Sequence, residues 1–138
     1  MQYSLVNGYK ASPFPTGKGI CDICGSDTIA KCGEKVMWHW AHKSKMDCDP
    51  WWENETEWHR KWKEHFPENF REIVHKCEIT GEKHRADIKS DKGTILEIQN
   101  SPISFEELRS RERFYKNLIW IVNGEKFRNR FKIWNAPL

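Results

Sequence analysis

The chain has 138 residues, which is enough for one compact domain with a small appendage. Hydrophobic residues make up 38% of it and include eight tryptophans, so a buried core can form, whereas the net charge of +3 is too small to establish a nucleic-acid partner. No run of about 18 apolar residues occurs and no apolar segment typical of a signal peptide follows the start, so we expect neither a membrane span nor secretion.

Residues 1–50 predict a small β-rich module. Apolar alternation followed by a run rich in Gly and Pro predicts, over residues 1–20, a strand or hairpin that leads into a loop. Residues 29–36 resemble a second small hairpin. The Asp49-Pro50 pair marks a boundary, after which residues 51–138 form the larger part of the chain.

A metal-binding pattern, C-x2-C-x14-H-x2-H, lies within the first module. The C-x-x-C knuckle lets two thiolates meet one tetrahedral ion, and the histidine pair converges on it if that segment begins a helical turn. The histidine spacing is one residue shorter than usual, and Cys32 or Cys48 could replace one histidine. The alternative is a set of buried thiols and hydrogen-bonded histidines without metal. The predicted ligands of this structural zinc site are Cys21, Cys24, His39 and His42. An odd number of cysteines, five in all, favours metal or reduced thiols over disulfides and hence a cytoplasmic protein.

Residues 52–66 predict the first helix of the larger part, with Asn54 or Thr56 as its N-cap. Glu55 and His59, at i and i+4, would share one helix face with aromatic side chains. That combination is unusual for a plain amphipathic helix and makes both residues candidates for a site. The alternative is that Glu55 is an acidic first-turn residue favoured by the helix dipole and that His59 lies on the surface.

Three strands are predicted next. Residues 70–78 form the first, and residues 84–101 form two more, joined by a turn at Gly93. If the last two strands pair as a hairpin, Asp87 on one stands close to Glu97 on the other. Two neighbouring carboxylates flanked by apolar residues are costly unless a cation lies between them, and a hard divalent ion suits oxygen ligands.

The remaining segments complete the order helix, three strands, helix, strand. A capping box of Ser104 and Glu107 begins a helix over residues 104–116. The apolar run at residues 118–122 predicts a strand buried on both faces. Residues 126–134 mix basic and aromatic side chains and form either a closing strand or an edge that contacts DNA.

Positive charge is concentrated in the last quarter of the chain. From Ser101 onward, eight Lys and Arg residues occur with four Glu residues and with interleaved aromatics, which suits a surface facing phosphates. A solvated helix face is the alternative explanation for the same pattern.

Several phrases of the chain together resemble a known family. HRADI and LEIQNSPIS, followed by ELRSRERFY and LIWIV, are similar to the nuclease region of the competence protein CoiA-like family, which belongs to the PD-(D/E)XK, or restriction-endonuclease-like, superfamily. The C-x-x-C with its later HWAH phrase is similar to the same family, as is the match of Glu55, Thr56 and His59 to an E-S/T-x-x-H phrase. The resemblance extends from about residue 21 to residue 122. It implies an α/β (α+β) fold with a restriction-endonuclease-like core after a zinc-bound module.

The resemblance implies a catalytic Mg²⁺ or Mn²⁺ held by the carboxylates of Asp87 and Glu97 and by the main-chain carbonyl of Ile98, with Glu55 able to reach the same ion. Gln99 stands where the superfamily usually has a lysine, although the CoiA-like phrase itself has glutamine there. A glutamine can orient the attacking water but carries no charge. We expect Lys89, two residues after Asp87 on the same strand, to supply the missing charge.

Other residues near the motif are candidates for contacts with substrate, and for each the alternative is an ordinary surface residue. These candidates are His59, His84, Arg85, Arg109, Arg113 and Tyr115.

The sequence thus predicts a divalent-metal-dependent deoxyribonuclease with a structural zinc, acting on DNA, independent of membranes and able to form a homodimer. A catalytically inactive nuclease fold that binds DNA or a protein partner is the main alternative, which Gln99 favours. A plain zinc-finger interaction protein would leave the carboxylate hairpin unexplained.

Overall fold

A computed structural model describes residues 1–129, so the end of the predicted basic and aromatic segment lies outside the described residues. The protein is of mixed α and β structure. The N-terminal part forms one antiparallel sheet in the order β2-β1-β3-β4-β5. Its strands are β1 Ser4–Val6, β2 Tyr9–Ala11, β3 Lys18–Ile20, β4 Asp27–Lys31 and β5 His39–His42.

Tight turns and close strand contacts explain why such short strands form a sheet. Asn7 and Gly8 have φ values of 52° and 81°, which suits the two-residue turn that joins β1 to β2. Gly19 on β3 lies against the neighbouring strand so closely that a Cβ atom would be 2.8 Å from the Ser4 hydroxyl oxygen. Trp40 on β5 is 1% exposed and donates its indole N–H to the Ala11 carbonyl at 3.0 Å.

The rest of the described chain has the predicted order of helix, three strands, helix and strand. The four strands form a second sheet in the order β6-β7-β8-β9, in which β8 and β9 are parallel and connected through the second helix. Gly93, with a φ of 80°, forms the predicted turn between β7 and β8. The elements are α1 Glu57–Glu64, a short 3₁₀ helix Glu68–Phe70, β6 Arg71–Lys76, β7 Lys83–Lys89, β8 Ile95–Gln99, α2 Phe105–Tyr115 and β9 Leu118–Val122.

Helix α1 begins later than the sequence predicts, at Glu57. Thr56 is the N-cap, and its capping box uses a histidine: the Thr56 hydroxyl accepts from the His59 N–H while His59 Nδ1 accepts from the Thr56 N–H. Glu55 therefore precedes the helix. The buried side chains of α1 are His59 and Lys63, one turn apart.

The prediction that residues 118–122 are buried on both faces is wrong. Strand β9 is the last strand of its sheet in the part of the chain that is described, and Ile119 and Val122 are 53% and 48% exposed. An apolar run alone does not distinguish a central strand from an edge strand.

The apolar core of the second sheet lies between its strands and α2. Ala86, Ile95 and Tyr115 are buried together, with Trp51 and Phe114 packed against them. Tyr115 is 4% exposed, so its ring belongs to this core. Among the described helices, neither is long and apolar enough to cross a membrane.

Candidate functional site

A group of three cysteines and one histidine lies at one end of the first sheet. Their ligand atoms all lie within 4.8 Å of one another. Cys21 directly follows β3, and a turn closed by the Gly25 N–H and the Cys21 carbonyl at 2.9 Å brings Cys24 beside it. The Cys21 and Cys48 sulfurs are 3.7 Å apart, and Cys24 Sγ lies 3.4 Å from His42 Nε2.

This Cys₃His group fits a structural zinc ion, since zinc prefers a tetrahedral set of thiolate and imidazole ligands. Burial opposes ionisation of Cys24, but hydrogen bonds from Ser26, Cys21 and His42 outweigh it and lower the pKa of its thiol to about 6. Burial and the adjacent Cys21 raise the pKa of the Cys48 thiol to about 12. Thiols so close together cannot all ionise without a cation, which a metal ion held by the group would supply.

The structure replaces one predicted ligand. Cys48, the alternative thiolate, joins the group, and His39 lies outside it. His39 and His42 lie on strand β5 and not on a helical turn, so side chains three residues apart point to opposite faces. His39 Nδ1 instead lies 2.9 Å from the Met37 carbonyl oxygen.

An acidic cleft lies where α1 faces the second sheet. Its walls include six carboxylates, from Asp49, Glu53, Glu55, Glu72, Asp87 and Glu97, as well as the side chains of His59, Lys63, Arg85 and Arg111. The structure thus brings Glu55, Asp87 and Glu97 to one cleft, as the sequence predicts.

Asp87 and Glu97 lie where the ladder between β7 and β8 ends. The last paired residues of this ladder before Asp87 and Glu97 are Ile88 and Leu96. Beyond it, the Ile98 N–H donates to Asp87 Oδ2 at 2.8 Å, and the Asp87 N–H points at Glu97 Oε1, 3.4 Å away. The two carboxylates thus occupy the gap between two separating strands.

Lys63 is one of the cleft residues that sequence reasoning missed. Its ammonium nitrogen lies 2.8 Å from Glu55, 3.1 Å from Glu72 and 3.4 Å from Asp87. Burial opposes its charge, but these carboxylates outweigh burial and raise the pKa of Lys63 above its usual value. The sequence spacing could have predicted Lys63 as a site residue, because it lies four residues after His59 and therefore on the same helix face.

Glu72 was also missed, although its strand was predicted. Its carboxylate is 6% exposed and accepts the N–H groups of Gln2 and Tyr3 at 3.0 to 3.2 Å. Burial alone would favour the neutral acid, but Lys63, the N-terminal ammonium and Arg85 together outweigh it, and the pKa of Glu72 falls to about 2. Its φ of 46° is in the left-handed region, which is uncommon for a residue with a side chain and recurs at functional sites.

Glu97 has the opposite electrostatic environment. It is 4% exposed, and burial together with the charge of Asp87 raises its pKa to about 8, although Arg111 opposes this. Arg111 Nη1 lies 2.8 Å from Glu97 Oε2, and Arg111 Nη2 lies 2.5 Å from Glu107 Oε1. In the absence of a metal, Glu97 is therefore mainly protonated at neutral pH, and a cation beside it would displace that proton.

Gln99 and Lys89 do not meet at the cleft. Gln99 is 5% exposed, and its side-chain amide donates to the Ser101 carbonyl at 2.8 Å. Lys89 Nζ lies 3.1 Å from His75 Nδ1 and does not line the cleft. The cation beside Asp87 therefore comes from α1 and not from β7.

The predicted substrate-binding residues fall into buried and exposed sets. His84 is 3% exposed, stacks on Trp51 with ring centroids 3.4 Å apart, and bonds to Asp49 and Glu82 at 2.7 and 2.8 Å. His59 lines the cleft and lies 3.8 Å from Glu53. Arg109 and Arg113 on α2 are exposed, and Tyr115 lies in the core.

Arg85 connects the cysteine group with strand β7. Its guanidinium forms an ion pair with Asp22 and lies 3.7 Å from Cys21 Sγ. Asp49, which follows Cys48, accepts the Arg85 N–H at 3.0 Å. The strand that carries Asp87 is thus held by two residues that directly follow zinc-ligand candidates.

Comparison with known proteins bears on the N-terminal part. Residues 16–50 match the model of a family described as competence protein CoiA, N-terminal domain, and all four members of the Cys₃His group fall within that segment. The searches of curated proteins and of solved structures found no match to the chain. The predicted resemblance to the CoiA-like family is therefore confirmed for residues 16–50, which match a CoiA N-terminal domain, whereas the resemblance of residues 51–122 to the nuclease region stays a prediction.

Proposed function

We propose that this chain is a metal-dependent nuclease of CoiA-like type that hydrolyses DNA phosphodiester bonds. The observation that carries the proposal is the convergence of Glu55, Asp87 and Glu97 on one cleft, with the buried Lys63 ammonium between two of them. The family match links the chain to competence, and the α1–β6–β7–β8–α2–β9 order is the one expected of a restriction-endonuclease-like core. DNA as substrate, assembly as a homodimer and a cytoplasmic location belong to the same proposal.

The donor set suits Mg²⁺ or Mn²⁺. Asp87 and Glu97 are close enough that each raises the cost of the other's charge, and a hard cation with oxygen ligands relieves that cost. These carboxylates, with the carbonyl of Ile98, would hold the ion. A bound ion of this kind supplies a more acidic water and neutralises charge that develops on the phosphate.

Lys63 supplies the positive charge that the superfamily usually obtains from a lysine at the position of Gln99. Its ammonium lies 3.4 Å from Asp87, so it can donate a hydrogen bond to an attacking water or to a phosphate oxygen next to the metal ligands. Glu55 and Glu72 fix its position from the other side. In this proposal Gln99 supports the loop at Ser101, and zinc holds the N-terminal module against β7.

Cleavage of supercoiled plasmid and of single-stranded DNA in Mg²⁺ or Mn²⁺ tests the proposal. We expect Asp87→Asn, Glu97→Gln and Lys63→Met each to lower the rate at least 100-fold at unchanged zinc content. Lys61→Met is the matched control, because Lys61 lies on the same helix with a side chain 69% exposed, and it should cleave at the wild-type rate. Cleavage by Asp87→Asn at the wild-type rate would refute the assignment.

A second candidate is a nuclease fold that binds DNA or a protein without cleaving. It is favoured by the cations that already lie beside the two acidic side chains, Lys63 at 3.4 Å from Asp87 and Arg111 at 2.8 Å from Glu97. This candidate predicts that wild type and Asp87→Asn are equally inert with either metal and bind DNA equally well.

A further inference from the structure

A basic groove lies beside the acidic cleft on the side of the zinc module. Strand β5 and the segment that follows it form its walls. Three exposed lysines line it, Lys31, Lys43 and Lys45, and none of them is in an ion pair of residues 1–129. Asp47, which is exposed, and Asp49, which is buried against His84, also line the groove. With Arg85, the basic side chains outnumber these acids by four to two, so the groove keeps an excess of positive charge.

Trp52 connects the groove with the cleft. Its side chain is 53% exposed and lines both, and it also lines a third depression next to Glu55. Met46, 45% exposed, lies in the wall of the same groove. An indole that is half exposed at the junction of two cavities is available for stacking by a planar ligand.

The charges of the two cavities complement a nucleic acid in different ways. The cleft is lined by more acidic than basic side chains, so without a metal ion its net charge disfavours a phosphate. The neighbouring lysines attract phosphates regardless of sequence. An aromatic face combined with a basic groove is the arrangement that binds unpaired bases, because a base within a duplex is already stacked on its neighbours.

We propose that this groove binds single-stranded DNA, with one base stacked on Trp52 and with neighbouring phosphates on Lys31, Lys43 and Lys45. The inference rests on the proposed function, which it deepens by naming the form of DNA that enters the cleft. A strand held in this way passes Trp52 and places the adjoining phosphodiester next to Asp87 and Lys63.

Fluorescence anisotropy with a labelled 20-nucleotide single strand, and with its duplex, tests the inference without cleavage. The zinc-loaded Asp87→Asn chain is used without Mg²⁺ or Mn²⁺. We expect the single strand to bind at least 10-fold more tightly than the duplex. Stacking is worth about 1–3 kcal/mol per base, so Trp52→Ala should weaken binding of the single strand about 5- to 150-fold and Trp52→Phe much less. Trp62→Ala, at a tryptophan that is 37% exposed on α1 and lines neither cavity, should have no effect.

The lysines are tested by the dependence of affinity on salt. Each phosphate contact contributes about 0.7 to the slope of log affinity against log salt for a single strand. Changing Lys31, Lys43 and Lys45 to Gln should therefore reduce the slope by about 2, whereas Lys92→Gln, at the exposed β7–β8 turn, should leave it unchanged.

The inference is overturned if duplex binds as tightly as the single strand, or if Trp52→Ala and the lysine variant bind like their controls. These outcomes are independent of catalysis. If the wild type never cleaves DNA but the binding differences are observed, the proposed nuclease activity is refuted and single-strand binding by the groove is supported. If the wild type cleaves DNA and the binding differences are absent, single-strand binding by the groove is refuted.

Discussion

Replacing Glu97 with Gln should stabilise the protein in the absence of divalent metal ions. Burial and Asp87 raise the pKa of Glu97 from 4.5 to about 8, so folding takes up a proton at neutral pH, and that uptake lowers the free energy of unfolding. The amide has the shape of the protonated acid and keeps an oxygen for Arg111, which lies 2.8 Å from the carboxylate. The variant therefore keeps the packing and removes the cost of protonation.

The pH dependence follows from the sign of the shift. A raised carboxyl pKa leaves wild-type stability intact below about pH 4.5 and removes it progressively as the pH rises to about 8. At pH 7 the cost is about 3 kcal/mol, at about 1.4 kcal/mol per pH unit above the unfolded pKa. For a chain of this length, that corresponds to a melting temperature about 10 °C higher in the variant.

Thermal unfolding of zinc-loaded protein at pH 4.5 to 9, without Mg²⁺ or Mn²⁺, measures this gain. We expect it to be near zero at pH 4.5 and to grow up to about pH 8. Glu107→Gln changes a partly exposed carboxylate on the same arginine and controls for the loss of an Arg111 partner. A variant that is less stable than wild type at pH 7 would refute the reasoning, because it would mean that the ion pair with Arg111 outweighs burial and Asp87.

Three further predictions concern the zinc group, the buried lysine and the stacked histidine. Metal analysis should find one zinc ion per chain in the wild type and in His39→Ala, and none in Cys48→Ser. The reverse result for the two variants would show that His39 is the ligand and Cys48 is not. Lys63→Met should lower the free energy of unfolding in urea by about 3–5 kcal/mol, because it leaves buried carboxylates unpaired, and a loss below 1 kcal/mol would show that water solvates them. Burial opposes the charge of His84, but Asp49 and Glu82 outweigh it and raise its pKa above 6.5, so its stabilisation is complete below about pH 6.5 and is lost as the pH rises through the raised value. His84→Gln should therefore cost more stability at pH 5.5 than at pH 8.5, and an equal cost at both would contradict the ionic contribution.

Local patterns determined the elements that build the site. Glycine at a turn, period-two alternation and a capping serine are properties of a few adjacent residues, and they correctly predicted the β7–β8 hairpin, helix α2 and the order of the elements. Asp87 and Glu97 were paired on the same grounds, because a hairpin brings its two strands together whatever else surrounds it.

Side chains from distant elements could not be assigned in this way. His39 was predicted as a ligand because spacing was interpreted on a helical turn, whereas a strand directs residues three apart to opposite faces and leaves the position to Cys48. Lys89 was expected to supply the charge because it lies near Asp87 in sequence, but its side chain reaches His75.

The sequence by itself determined the C-x-x-C knuckle, the carboxylate pair and the order of helices and strands, because each depends on residues that are close along the chain. Only the tertiary structure decided which cation accompanies each carboxylate. Lys63 reaches Asp87 from a helix 24 positions earlier, and Arg111 reaches Glu97 from the helix that follows it. The packing of α1 and α2 on the sheet brings these charges together, because buried carboxylates are stable only with a charged or hydrogen-bonding partner.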